Sequence, residues 1–148
     1  MSWDKWLTDI RFTLFRSAIL QEQFIQCILD HTPPKASILE AGFGAATTTE
    51  LLRDLEYDMK GFDLEPLAVE TGVRRFPALE GRLYVGDILN PDSYKKKVST
   101  IIHQGVLEHF SDSEMLQILR LQGKFCDQII FDVPNCLREN QEDEGDKT

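Results

Sequence analysis

Positive charge is scarce in this chain: 16 Lys and Arg stand against 25 Asp and Glu, a formal net charge of -9 over 148 residues. That balance argues against a stand-alone nucleic-acid binder, because phosphate contacts need clustered cations. The one basic run, Tyr94-Lys95-Lys96-Lys97, reads as a helix end or a solvated loop. No apolar stretch is long enough to span a bilayer, so no membrane association is expected. The start, Met1-Ser2-Trp3-Asp4-Lys5-Trp6, is mixed in charge and lacks a secretory pattern, so a cytoplasmic location is expected. Cysteine is sparse as well. Cys27, Cys126 and Cys136 are odd in number, widely spaced and outside any paired metal-ligand spacing, which suits reduced thiols and no metal site. No internal repeat or low-complexity segment is visible.

What the chain does have is a glycine turn between a strand and a helix. Ile38-Leu39-Glu40-Ala41-Gly42-Phe43-Gly44-Ala45-Ala46-Thr47 reads as a buried strand, a tight turn and a helix start near residues 45–48. Gly42 and Gly44 lack a Cβ, so the backbone turns sharply and a ligand can approach it, while the helix start offers free N–H groups to a polar or negative group. Some twenty residues on, Met59-Lys60-Gly61-Phe62-Asp63-Leu64 reads as a second strand ending in an acid, where a ribose-binding carboxylate belongs. A third run, Arg82-Leu83-Tyr84-Val85-Gly86, ends in Asp87-Ile88. Any one of these acids serves equally well as a helix N-cap; three at successive strand tips are harder to explain by capping alone.

Hydrophobic periodicity places the remaining elements. Apolar residues at helical spacing over about residues 3–30 predict two helices or one bent helix, ended by His31-Thr32-Pro33-Pro34. Strands follow at 37–40, 60–63, 83–86, 100–103 and 128–133, with helices over 47–55, 66–76 and 112–121 and a helical turn over 92–97. This alternation specifies an α/β fold with a doubly wound parallel sheet covered by helices on both faces. With 42% hydrophobic residues, one domain with a sizeable core is expected. The organisation reads as an N-terminal helical cover over 1–34, a nucleotide-cofactor core over 35–136 and an acidic, mobile tail over 137–148.

From about Ile38 to Asn135 the chain resembles the class I S-adenosylmethionine-dependent methyltransferases. Glu40-Ala41-Gly42-Phe43-Gly44-Ala45-Ala46 is similar to that family's acid-x-Gly-x-Gly-x-Gly loop, Gly61-Phe62-Asp63-Leu64-Glu65-Pro66 to its second-strand acidic motif, and Val85-Gly86-Asp87-Ile88 to its third. Ile101 to Phe110 is similar to its fourth-strand motif and the turn after it. The resemblance implies S-adenosylmethionine as cofactor and a Rossmann-like core of sheet order 3-2-1-4-5. It also implies a role for each position. Glu40 holds the methionine end; Gly42 and Gly44, with Ala41, let the backbone reach it; Asp63 binds the ribose beside Leu64; Asp87 and the Ile88 backbone read the adenine edge; Gln104 lies under the sulfonium portion. Two residues depart from the pattern: Ala46 stands where the third glycine usually sits, and Ser99 where many members carry an acid. A nicotinamide reading fits less well, since Gly-x-Gly-x-x-Gly needs glycine where the chain has Thr47.

Methyl transfer needs a base only for a protonated acceptor, and His109, on the turn after the fourth strand, is the candidate; its alternative is a helix-start histidine. His103 reads as structural, Glu108 as a helix cap or an acceptor contact, and Asn135 as facing the acceptor. The expected activity is methyl transfer to a small-molecule acceptor. The alternative is a cofactor-binding or truncated methyltransferase-like domain acting as a partner subunit, since family members usually continue into C-terminal antiparallel strands that this chain lacks. An uncovered Ile129-Ile130-Phe131 strand predicts homo-oligomers through an open sheet edge.

Overall fold

The computed structural model describes residues 10–134, so Trp3, Trp6, Asn135, Cys136 and the acidic tail lie outside the described residues. Five strands, β1 (Ser37–Ala41), β2 (Asp58–Asp63), β3 (Leu83–Val85), β4 (Val98–Gln104) and β5 (Cys126–Asp132), form one sheet in the order β3-β2-β1-β4-β5. Every pairing is parallel. The expected order and strand number are therefore observed, with ends that differ by one or two residues.

Parallel strands bury both faces, so consecutive residues must serve different cores. Ile101 packs with Leu39, Phe62, Tyr94 and Ile118, whereas its neighbour Ile102 packs with Ile38, Met59 and Leu52. Helices α1 (Ile10–Leu20) and α2 (Glu22–His31) are separate, broken at Gln21. Phe24, Ile25 and Ile28 of α2 lie on one side of its helix and fill the second core, together with Leu52 of α3 (Thr47–Asp54). On the first face lies α5 (Asp112–Gln122), opened by a capping box in which Ser111 and Glu114 bond each other's backbone N–H. Between them in the chain, α4 (Pro66–Arg75) starts on Pro66 and packs toward β2 and β3. No helix among the described residues is long and apolar enough to cross a membrane.

The connection from β3 to β4 corrects one expectation. Residues 92–97 do not form a helical turn; the only helical geometry is a three-residue 3-10 turn at Pro91–Ser93, capped by the Asn90 side chain accepting from the Asp92 N–H. Tyr94 then plunges into the core, 1% exposed. Its ring stacks on Phe125 and meets Phe62 edge-on, and its hydroxyl donates to the Ile88 carbonyl at 2.7 Å. One buried aromatic occupies the space that a crossover helix would otherwise fill.

At the other side of the sheet, β5 pairs only with β4 among the described residues. Its inner end is tied down by Gln128, whose Nε2 donates to the His31 carbonyl at 2.7 Å and to Thr100 Oγ1 at 2.8 Å. Phe131 and Val133 at the outer end are 42% and 43% exposed. Unpaired main-chain groups beside exposed apolar side chains predict concentration-dependent self-association, read by sedimentation velocity, and Phe131→Lys, which puts an edge cation there, is expected to weaken it. A parent chain that stays monomeric at every accessible concentration would remove the open-edge account.

Candidate functional site

The carboxyl ends of β1 to β4 converge on a cavity of about 430 Å³, within the range of small-molecule sites. Its back is the turn after β1. Gly42 and Gly44 adopt φ of +80° and +54°, a left-handed backbone that glycine enters without a Cβ penalty. A Cβ on Gly42 would also lie 3.0 Å from a Val106 methyl. Ala46, at the position of the absent third glycine, takes φ +58° as well, with its methyl fully buried beside Phe43, Phe76 and Leu83. The loop keeps a glycine-like backbone and gains packing at that point, against the usual strain of a left-handed alanine.

Asp63 holds this turn in place. One of its carboxylate oxygens accepts from the Gly44 N–H at 2.9 Å and the other from the Glu65 N–H at 3.1 Å, so the group is fixed at the cavity wall by two backbone donors. Gly42 N–H adds a bond to the Phe62 carbonyl at 2.8 Å. Leu64, Asp87 and Ile88 also line the cavity. Asp87 is oriented by its own backbone: Oδ1 accepts from the Leu89 N–H, and its N–H donates to Ser93 Oγ, both at 2.8 Å. His109 also lines the cavity, on a 3-10 turn, Leu107–His109, reached through Gly105 at φ +64°. Val106 and Phe110 flank it as apolar wall. These two were not singled out from the sequence, where the segment drew notice for its polar residues His103, Gln104, Glu108 and His109.

Four expected residues do not line this cavity; Gly44 is one of them, its N–H taken by the Asp63 carboxylate. Glu40 and Ala41 are buried beneath the turn, and Glu40 accepts a hydrogen bond from Thr49 Oγ1 on α3. Removal from water pushes the Glu40 carboxyl up to about 8, outweighing the Thr49 bonds that pull it down, with the Asp63 charge adding to the rise. Gln104 faces elsewhere: its Nε2 donates to Asp132 at 3.0 Å, and it lines a separate cavity of about 270 Å³ with Gln21, Glu22 and Gln23 at the α1–α2 junction. His103 is fully buried against Gln122 and stacked on Phe131, and burial lowers it to about 4. Ser99 lies at the opposite end of β4, its N–H bonded to Ser37 Oγ.

Glu40 makes stability depend on pH. The native carboxyl keeps its proton between about 4.5 and about 8, where the unfolded chain releases it, so the folded state binds more protons and stability falls as pH rises through that window. Glu40→Gln is expected to flatten this slope and to exceed the parent at pH 8 by on the order of a few kcal/mol. Urea midpoints at pH 5 and pH 8 check it, and equal slopes in both proteins would mean that Glu40 is ionised in the native state.

No family model and no curated protein sequence matches the chain. Solved structures do. The PH0226 protein of Pyrococcus horikoshii OT3 superposes with a TM-score of 0.71 at 18% identity, over 95% of this chain and 68% of that one. A TehB-like SAM-dependent methyltransferase of Corynebacterium glutamicum gives 0.59 at 22% identity, over 76% and 62%. The glycopeptide N-methyltransferase MtfA, complexed with S-adenosyl-L-homocysteine, gives 0.61 at 13% identity, over 71% and 47%. This chain thus spans between about half and two thirds of the length of these proteins. Its strand order, its glycine turn and these superpositions agree: the chain has the Rossmann-like fold of the class I S-adenosylmethionine-dependent methyltransferases.

Proposed function

We propose that the chain binds S-adenosylmethionine at the strand tips and transfers its methyl group to a small-molecule acceptor. The observation that carries this reading is the Asp63 carboxylate, fixed by the Gly44 and Glu65 N–H groups on the wall of a cavity large enough for a nucleoside. Each carboxylate oxygen has a further lone pair for a ribose hydroxyl. Leu64, Ile88, Val106 and Phe110 offer apolar walls to a planar base, and Asp87 an acceptor for its amino group. When bound, the cofactor supplies an electrophilic methyl on a sulfonium. The chain's own part is then to align the acceptor and exclude water, with His109 taking the proton of an acceptor that arrives protonated.

Glu40 and Gln104 enter this reading differently from the family pattern. Glu40, uncharged and bonded to Thr49, shapes the turn from beneath. Gln104, bonded to Asp132, borders the α1–α2 junction, where an acceptor can reach the strand tips. A small molecule suits the acidic balance of the chain better than a polyanion does. The second reading, cofactor binding without transfer, draws on Ala46 and on Glu40 lying off the cavity. Calorimetric titration with S-adenosylmethionine and S-adenosylhomocysteine, then a methyl-release assay over a panel of acceptors, separates the two: binding with no turnover on any acceptor favours the second.

Asp63→Ala is expected to weaken S-adenosylhomocysteine binding by about 1–3 kcal/mol, because ribose hydroxyls lose their acceptor and the turn loses its anchor. Unchanged affinity in the folded variant would remove Asp63 from the site. Gly44→Val is expected to do worse through backbone strain, since no atom lies within 4 Å of where its Cβ would point. For His109→Gln the expected result is near-parental S-adenosylhomocysteine affinity with methyl transfer down by about 10²–10⁴-fold. Equal turnover would return His109 to a structural role.

A further inference from the structure

We propose a second ligand site at the foot of the sheet, for a small organic anion whose carboxylate or phosphate is carried on a short apolar body. The amino ends of the strands enclose a cavity of about 110 Å³, well above the volume that one water needs. Its floor is apolar, formed by Leu39 and Val98 beside the Tyr84 ring. This stretch of sheet lies open because the β3–β4 connection contains only the Pro91–Ser93 turn and the inserted Tyr94. A full crossover helix would have covered it.

The rim is cationic in a chain that is otherwise acidic. Lys60, Lys95 and Lys96 line the cavity, and Asp58 is the one carboxylate among the lining residues. Asp58 is already shared, 3.2 Å from Arg82 and 3.9 Å from Lys96. Among the described residues, Lys60 and Lys95 have no carboxylate within ion-pair distance. Instead, the Lys95 ammonium rests 3.6 Å from the centre of the Tyr84 ring, and that ring is held by its hydroxyl donating to the Ser93 carbonyl at 2.8 Å. A basic run on a convex surface would be ordinary solvated charge. Here Lys60 comes from the middle of a strand and Lys95 and Lys96 from a loop, and they meet around a concave apolar floor. That combination, uncompensated cations over apolar and aromatic surface, is complementary to an anion with a short apolar portion. The two cavities share no lining residue, and along the first strand their linings, Leu39 below and Gly42 above, stand roughly 10 Å apart, so both can be filled at once.

Benzoate and inorganic phosphate serve as probes, followed by amide chemical shifts and calorimetry on the full chain. Saturable one-to-one binding of benzoate is expected, with phosphate weaker for lack of an apolar portion, and shifts centred on Lys60, Tyr84 and Lys95. The double variant Lys60→Gln, Lys95→Gln, with folding checked by circular dichroism, is expected to lose about tenfold or more in benzoate affinity. Arg120→Gln, an exposed cation on α5, is expected to change nothing. Saturating S-adenosylhomocysteine is expected to leave benzoate affinity unaltered, and the double variant to bind S-adenosylhomocysteine as the parent does, which separates this site from the strand-tip reading. The proposal is overturned by no saturable binding of either probe, by loss of benzoate binding on addition of S-adenosylhomocysteine, or by equal losses in the lysine and Arg120 variants, which would indicate diffuse charge.

Discussion

The bond from the Gly44 N–H to the Asp63 carboxylate is the interaction on which the strand-tip architecture depends. It ties the turn after β1 to the tip of β2, and the Gly42 N–H to Phe62 carbonyl bond repeats the tie two residues earlier. With both in place, the chain can leave β1 with a left-handed backbone and start α3 at Thr47 without blocking the cavity. Neither bond is possible unless β1 and β2 are adjacent and parallel, in the register that sets Ala41 beside Phe62. The sheet order is thus a precondition of the cavity, and the carboxylate that steadies the loop also lines it.

That double use explains why Asp63 differs from Glu40, an acid of similar sequence context. Asp63 is half-buried, with two backbone donors on its oxygens and one side toward the cavity. Glu40 is 4% exposed, with one hydroxyl donor and no cation beside it. For Glu40, the bonds from one threonine do not offset complete removal from water. The first acid faces the cavity, and the second fills the space between β1 and α3.

The five strands were legible from sequence because each is a short apolar run ending in a glycine or an acid, and the helices between them carry clear stop signals such as Pro33-Pro34 and Pro77. That Asp63, Asp87 and His109 lie at the strand tips was legible for the same reason: position after a strand fixes which end of the sheet a residue occupies. Position does not fix which face. Gln104 shares the parity of Ile102 and so turns toward the α1–α2 side, which the period of two would have indicated had the faces been assigned first. Burial was less legible still, since Glu40 needs Thr49 above it before its charge state can be judged. The turn at 91–93 carries proline, aspartate and asparagine signals for a helix start; what stops that helix is the pull of the Tyr94 ring into a slot between Phe62 and Phe125, a tertiary effect invisible to local pattern.

Charge along the sheet has a direction that the overall excess of acid conceals. Asp63, Asp87 and Asp132 gather at the carboxyl ends of the strands, while Lys60, Arg82, Lys95 and Lys96 gather toward the amino ends with Asp58 between them. Parallel strands make such a division possible, because every residue just after a strand shares one end of the sheet and every residue just before one shares the other. At the tips, carboxylates oppose polyanions and favour hydroxylated or cationic ligands; at the foot, the sign is reversed and the floor is apolar. A single small domain therefore presents two ends of opposite electrostatic character, held apart by the sheet. The unusual β3–β4 connection matters for both: Ser93 and Tyr94 buttress Asp87 and Ile88 above, and the absence of a helix leaves the lysine-rimmed floor open below.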